Sequence, residues 1–118
     1  MNFPYREIKT KVEFNKYEIQ RLEIIEMIKD EKLIPDEFNN VVLPDDYKNC
    51  SVDGEAYIYQ NNIEGIEISF WMFRGMQSGS VELIYSTGEE LIRKNESGPQ
   101  IRKIEKIQDN WYLVTTDY

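Results

Sequence analysis

Short runs of β-branched and aromatic residues, separated by turn residues, fill the chain from Asp53 to Tyr118 and constrain its fold more than any other feature. The separating residues are mostly Asn, Gly, Ser, Asp and Pro, which favour tight connections between strands. The pattern predicts six strands: Glu55–Gln60, Ile66–Phe73, Ser80–Ser86, Glu89–Lys94, Ile101–Ile107 and Trp111–Asp117. Because consecutive short strands usually pair with each other, we expect one uninterrupted antiparallel meander.

The first half of the chain contains one helical pattern, from Lys16 to about Glu31. Asn15 is the predicted N-cap, and Pro35 is the predicted stop. Between them the apolar residues fall on one broad side of a helix: Tyr17, Leu22, Ile24, Ile25 and Ile28. This spacing predicts an amphipathic helix.

A chain of 118 residues supports one domain with a single core. Residues 1–15 are interpreted as an N-terminal lead-in, extended or forming a short strand, and residues 16–118 as a single globular domain. The segment 36–51 is predicted to be a loop with one short apolar run, Val41–Leu43. The predicted fold class is α+β, with one N-terminal amphipathic helix packed on an antiparallel meander sheet of five to six strands.

Alternation along the predicted strands assigns side chains to two faces of the sheet. One face is almost purely apolar and is the predicted core beneath the helix: Ala56, Ile58, Ile66, Ile68, Phe70, Met72, Val81, Leu83 and Tyr85. The opposite face is aromatic and acidic together: Tyr57, Tyr59, Glu67, Ser69, Trp71, Phe73, Glu82 and Ile84. A sheet face in contact with water seldom carries this many large rings.

Composition excludes several classes of function. The formal charge of −8 argues against a nucleic-acid partner, because phosphate binding needs a basic surface. The chain has no histidine and one cysteine, Cys50, so imidazole-dependent catalysis and the usual transition-metal sites cannot be assembled within it. No phosphate-binding or nucleophile motif occurs, and no apolar run is long enough to span a membrane. We therefore predict no catalytic residues, no cofactor and no metal.

The candidate interaction surface is the aromatic and acidic face, represented by Tyr57, Tyr59, Glu67, Trp71 and Glu82. Rings flanked by carboxylates can stack on sugars, peptides or cations. The alternative is that these rings form a second layer of core or a dimer contact. We expect Trp71 to be buried under the C-terminal strands and at least one of the two tyrosines to be exposed. An enzyme that uses Glu67 and Glu82 as paired carboxylates is a further alternative.

Five blocks of the chain resemble, as a set, a group of small uncharacterised proteins from low-GC Gram-positive bacteria. The blocks are Leu43-Pro44-x-x-Tyr47-Lys48, Asp53-Gly54-Glu55-x-Tyr57-Ile58-Tyr59, Phe70-Trp71-x-Phe73-Arg74-Gly75-Met76, Ile84-Tyr85-Ser86-x-Gly88-Glu89-Glu90 and Ile104-x-Lys106-Ile107-x-x-Asn110-Trp111-Tyr112. In that group a membrane-anchoring segment often precedes the domain, so the resemblance implies that residues 1–15 are a trimmed stub after an anchor. It implies no activity and no functional residues.

The run Leu43-Pro44-Asp45-Asp46-Tyr47 is also similar to a turn in the SUKH immunity superfamily, whose members capture toxins with an acidic surface. The sequence thus favours a non-enzymatic interaction domain, tethered outside the cell membrane if the chain is a truncation and otherwise cytoplasmic. Its partner would be a protein or an envelope component, with the membrane reached only through a segment absent from this chain. The alternative is an acidic immunity-like or inhibitor protein that binds a basic protein in the cytoplasm.

Overall fold

The computed structural model describes the backbone of residues 5–74, 80–88, 91–92 and 101–116, and the side chains in these ranges except those of residues 5–15 and 73–74. The elements are helix α1 (Tyr5–Lys29), strand β1 (Asn40–Val42), a 3-10 helix (Asp45–Cys50), and strands β2 (Glu55–Asn62), β3 (Gly65–Arg74), β4 (Ser80–Ser86), β5 (Ile101–Gln108) and β6 (Trp111–Thr116). The predicted α+β class, with an N-terminal helix and a six-stranded antiparallel sheet, is confirmed.

Helix α1 begins at Tyr5 rather than at Lys16, so Asn15 lies inside the helix and is not its N-cap. Residues 5–14 contain no glycine or proline, and nothing in them interrupts a helix once it has formed. The helix ends before Pro35 is reached. Glu31 adopts a left-handed conformation with φ of 61°, and the N–H of Lys32 donates to the Met27 carbonyl at 2.8 Å. This is the usual way in which a helix C-terminus is closed.

The predicted loop 36–51 contains two ordered elements, strand β1 and the 3-10 helix. The Asp36 carboxylate accepts hydrogen bonds from the N–H groups of Phe38 and Asn40, at 2.8 and 3.0 Å. Asn39 takes a positive φ of 65° at the same turn. These contacts direct the chain into β1, which pairs with the start of β2 and makes the apolar run around Val41 part of the sheet.

The strand order in the sheet is β1-β2-β3-β4-β6-β5. Strands β2, β3 and β4 are consecutive neighbours, as the meander pattern predicts, but β1 was not predicted and β4 pairs with β6 rather than with β5. The long connection of residues 87–100 allows β5 to reach the outer edge, from which it returns through a hairpin to β6. Of the predicted strand Glu89–Lys94, only Leu91 and Ile92 lie within the described residues, and neither is in a strand.

The main core lies between α1 and one face of the sheet, as predicted. Its buried residues are Ile24, Ile25, Ile28, Val41, Leu43, Cys50, Ala56, Ile58, Ile66, Ile68, Phe70, Met72, Val81, Leu83, Trp111 and Leu113. The buried side of the helix differs from the expected one, because Leu22 is exposed and Arg21 is fully buried. No helix among the described residues has both the length and the apolar character needed to cross a membrane.

A second, smaller cluster lies on the opposite face of the sheet. Ile84 and Val114 pack there against Leu91, which belongs to the chain that follows β4. The partly buried side chains of Tyr59, Ile101 and Tyr112 pack against this cluster. The face that carries the candidate site is therefore covered in its β4–β6 region and more open in its β2–β3 region.

Candidate functional site

The five candidate residues lie on three adjacent strands and share one face of the sheet. Tyr57 and Tyr59 come from β2, Glu67 and Trp71 from β3, and Glu82 from β4. The register pairs Trp71 with Glu82, so these two side chains are direct neighbours across the β3–β4 ladder. The predicted assignment of these residues to one face follows from the alternation of side chains along each strand.

Glu82 is buried, with 1% of its surface exposed, although the sequence suggested an acidic surface residue. Its Oε1 atom accepts hydrogen bonds from the Ser69 hydroxyl at 2.8 Å and from the Tyr59 hydroxyl at 3.2 Å. Burial of a carboxylate is costly unless hydrogen bonds compensate for the lost water. Glu82 therefore holds the ring of Tyr59 in position through this hydrogen bond and is not itself accessible to a partner.

Glu67 is buried to the same extent and has its own set of donors. Its Oε1 atom accepts from the backbone N–H of Ile92 at 2.8 Å and from the Ser86 hydroxyl at 3.3 Å. Through the first of these bonds, Glu67 attaches the chain after β4 to the face of the sheet. The expectation that Glu67 and Glu82 form exposed acidic neighbours of the rings is wrong, because both carboxylates lie inside the protein.

The three rings are partly accessible. Tyr57, Tyr59 and Trp71 are all half-buried, and the two tyrosine rings meet edge to face with their centroids 4.6 Å apart. Trp71 is not buried under the C-terminal strands as expected, since β5 and β6 lie beside β4 in the same sheet instead of folding over β3. The expectation that at least one of the two tyrosines is exposed is met only in part, because both are half-buried.

The backbone of Trp71 is held by the segment that precedes β2. Its N–H donates to the Ser51 hydroxyl at 3.1 Å, and its carbonyl accepts from the N–H of Val52 at 2.7 Å. The Ser51 hydroxyl donates in turn to the Asp53 carboxylate at 2.8 Å. A β-bulge follows Trp71 in β3. These bonds fix the position of Trp71 on the face, and the sequence contained no signal for the part that Ser51 plays.

The geometry gives no support to a paired-carboxylate enzyme. Glu67 lies opposite Ser86, whereas Glu82 lies opposite Trp71, four residues further along β3. At about 3.4 Å per residue, the Cα atoms of the two glutamates are roughly 14 Å apart. Each carboxylate also has separate donors. Among the described residues, no group of three or more Cys, Asp or Glu side chains is arranged to hold a metal ion.

The helical pattern in the sequence did not lead us to predict that Arg21 is buried, although its position is informative. It stands three, four and seven residues before Ile24, Ile25 and Ile28, which is the spacing of one helix face. Its Nε atom donates to the Cys50 carbonyl at 2.9 Å and its Nη2 atom contacts the Met72 sulfur at 3.2 Å. Arg21 thus ties α1 to the 3-10 helix and the sheet.

The 3-10 helix carries two further groups with shifted acidity. The Tyr47 hydroxyl donates to the Glu23 carboxylate of α1 at 2.6 Å, and this hydrogen bond raises the pKa of Tyr47 above its usual value. Burial raises the pKa of the Cys50 thiol, an effect that the positive charge of Arg21 partly opposes. A buried thiol with a raised pKa is a poor nucleophile. Cys50 therefore acts as a packing residue.

Comparison of the chain with protein-family models, curated proteins and solved structures gives no match. Functional inference for this protein accordingly depends on its own residues and their arrangement.

Proposed function

We propose that the protein is a non-enzymatic interaction domain, and that its contact surface is formed by the half-buried rings of Tyr57, Tyr59 and Trp71. The observation that supports this most directly is the position of the rings above a buried polar network. Glu82, which also accepts a hydrogen bond from Ser69, holds the Tyr59 hydroxyl, and Ser51 holds the Trp71 backbone. Tyr57 packs edge to face on Tyr59. The rings are thereby kept in fixed positions without being removed from solvent.

Fixed aromatic rings are suited to recognition. They offer a large contact area with few rotatable bonds, and they are enriched among residues that dominate binding energy. A network of buried polar groups is an unusual support for rings that only fill a core, since apolar residues would pack there without the cost of burying carboxylates. We infer that the network serves to position the rings. The partner would contact the rings, while Glu82 acts only through the ring of Tyr59.

The proposal is tested by panning a library of displayed linear peptides on the immobilised domain. Enriched peptides should bind the wild-type protein and lose about tenfold or more in affinity against Tyr57→Ala or Trp71→Ala, as truncations at binding hot spots do. Tyr112→Ala is the matched control, because this ring is also half-buried on the same face but packs on the second cluster. Peptides that bind all three variants equally would show that the rings are not the contact surface.

For location, we propose that the domain is tethered at the cell envelope, on the basis of the resemblance described above. The test is the genomic sequence upstream of residue 1. An apolar run of about 20 residues there would support tethering. A native start at Met1 beside a toxin-like gene would favour the alternative, an acidic inhibitor of a basic protein in the cytoplasm, for which the formal charge of −8 is the supporting observation.

A further inference from the structure

A cleft of about 370 Å³ runs beside β2 and meets the proposed aromatic contact surface only at Tyr59. It is lined by Pro35, Asn39, Ile58, Tyr59, Gln60, Asn61 and Asn62. Five of these residues are consecutive in one strand. Because successive side chains of a strand point to opposite faces of the sheet, a cleft that reaches all five must follow the edge of the strand.

The edge of β2 is only half covered by its neighbour. Strand β1 pairs with β2 as far as Tyr57, and the N–H of Ile58 then donates to the Asn39 carbonyl at 2.9 Å. Beyond that point, no strand within the described ranges pairs with the outer side of β2. The cleft thus continues the line of β1 along the remaining length of β2, towards the hairpin that joins β2 to β3.

The register shows which backbone groups point into this cleft. Asn61 pairs with Ile66 of β3, but both backbone groups of Ile66 are directed the other way, to Thr87. The Ile66 carbonyl accepts from the N–H of Thr87 at 3.0 Å, and the Ile66 N–H donates to the Thr87 hydroxyl at 3.0 Å. Antiparallel strands alternate between bonded and non-bonded pairs. The Asn61–Ile66 pair is therefore a non-bonded one, and the N–H and carbonyl of Asn61 face outward.

Residues 33–40 and 63–64 adjoin the cleft lining in sequence and are called its rim; they combine apolar and acidic side chains. Ile34, Phe38 and Ile63 are large and exposed, and each is adjacent in sequence to a residue that lines the cleft. These two rim segments carry three acidic side chains, Asp36, Glu37 and Glu64, all of them exposed, and no basic one.

We propose that this edge cleft is a docking site for an extended basic peptide, which adds to the sheet as a further strand beside β2. Its backbone would pair with the outward N–H and carbonyl of Asn61, as in other cases of strand addition. Its apolar side chains would cover the exposed apolar rim, and its lysine or arginine side chains would meet the acidic rim. A second copy of this chain is a poor occupant, because the two acidic rims would repel each other.

The first test is direct binding of a capped ten-residue peptide in which lysine alternates with valine. We expect saturable binding at low ionic strength, weakened by added salt, and at least about tenfold weaker binding of the matching glutamate–valine peptide. The backbone amide of Asn61 should exchange its hydrogen more slowly in the complex. Absence of saturable binding by the lysine peptide would overturn the proposal, as would sedimentation data showing that the edge pairs two copies of the chain.

The second test separates the backbone of the edge from its side chain. Asn61→Pro removes the outward N–H without removing a bond to β3, whereas Asn61→Thr changes the side chain and keeps the N–H. We expect Asn61→Pro to weaken the lysine peptide about tenfold, the equivalent of one lost hydrogen bond, and Asn61→Thr to change its affinity by less than about threefold. Equal binding by the wild type and Asn61→Pro would contradict strand addition.

The third test addresses the charge and avoids any change to the strand. Glu37 and Glu64 are exposed, so the double variant Glu37→Lys, Glu64→Lys should fold normally and bind the lysine peptide several-fold more weakly. Unchanged affinity would refute the role of the acidic rim. Tyr59 belongs to both sites, but Tyr57 and Trp71 do not line the cleft. Tyr57→Ala and Trp71→Ala should therefore leave the lysine peptide bound, so the failure of one site can be told apart from the failure of the other.

Discussion

Replacement of Arg21 tests how α1 is joined to the rest of the domain. The side chain is fully buried, and its guanidinium donates to the carbonyl of Cys50 at 2.9 Å. The same group lies 5.7 Å from the ring of Tyr17 and 5.9 Å from that of Phe70. One buried charged residue of α1 therefore contacts Tyr17 of its own helix, Cys50 of the 3-10 helix and Phe70 of the sheet.

The expected magnitude follows from these contacts. A hydrogen bond from a charged donor contributes about 1.5–3 kcal/mol, and leaving the buried Cys50 carbonyl without that donor costs a similar amount. Truncation also leaves a cavity, and large-to-alanine changes in a core cost about 2–5 kcal/mol. The hydrogen-bond and cavity contributions overlap, so they are not added together. Removing Arg21 also removes the unfavourable free energy of burying its charge, which offsets part of the loss of stability. We expect Arg21→Ala to lower the free energy of unfolding by about 3–5 kcal/mol.

Urea denaturation followed by circular dichroism measures this change. Arg21→Met keeps most of the apolar volume and removes the charge, so a smaller loss than in Arg21→Ala would assign part of the effect to packing. Lys29→Ala is the matched control, because Lys29 is a long basic side chain on the exposed side of the same helix and its ion pair with Glu26 is exposed. If Arg21→Ala destabilised the protein no more than Lys29→Ala, the burial of Arg21 and the argument built on it would be refuted.

Three further substitutions test the core, the acidity of the 3-10 helix and the aromatic face. Phe70→Ala should cost about 3–5 kcal/mol in urea denaturation, because the ring is fully buried between α1 and the sheet; an unchanged midpoint would contradict the register. Tyr47 should titrate above the usual tyrosine pKa of about 10 by ultraviolet absorbance, and Glu23→Gln should lower its pKa towards that value, because the bond to Glu23 is the largest cause of the shift. Since the folded-state pKa is the higher one, this bond stabilises the protein fully below about pH 10 and is lost as the pH rises through the folded-state value. Trp71→Ala should leave the domain folded at a cost of about 2 kcal/mol, because the ring is only half-buried; loss of the cooperative unfolding transition would show that the ring is structural.

Much of the sheet could be predicted from the sequence because the signal for a strand is local. Alternation with a period of two assigned Ile58, Ile68, Phe70 and Leu83 to the core face, and all four are buried there. The same alternation grouped the five candidate residues on one face. Asn and Gly at the turns marked where strands end, since these residues tolerate the backbone conformations that turns require.

The burial of Glu67 and Glu82 could not be predicted in this way. Each carboxylate is satisfied by groups that are distant in the chain: Ser86 and the backbone of Ile92 for Glu67, and Ser69 and Tyr59 for Glu82. A glutamate on a strand has the same local sequence pattern whether water or a buried hydroxyl donates hydrogen bonds to its carboxylate. Only the assembled sheet shows which of the two applies.

The sequence by itself determined the fold class, the core face of the sheet and the grouping of the aromatic residues, because these depend on side-chain periodicity within single elements. The tertiary structure alone decided the pairing of β4 with β6, the burial of Arg21 and the open outer edge at Asn61. Each of these depends on which segments meet in space. Which segments pack together is decided by the burial and hydrogen bonding of the whole folded chain. Residues that are distant in sequence contribute to these together, so no local pattern encodes the result.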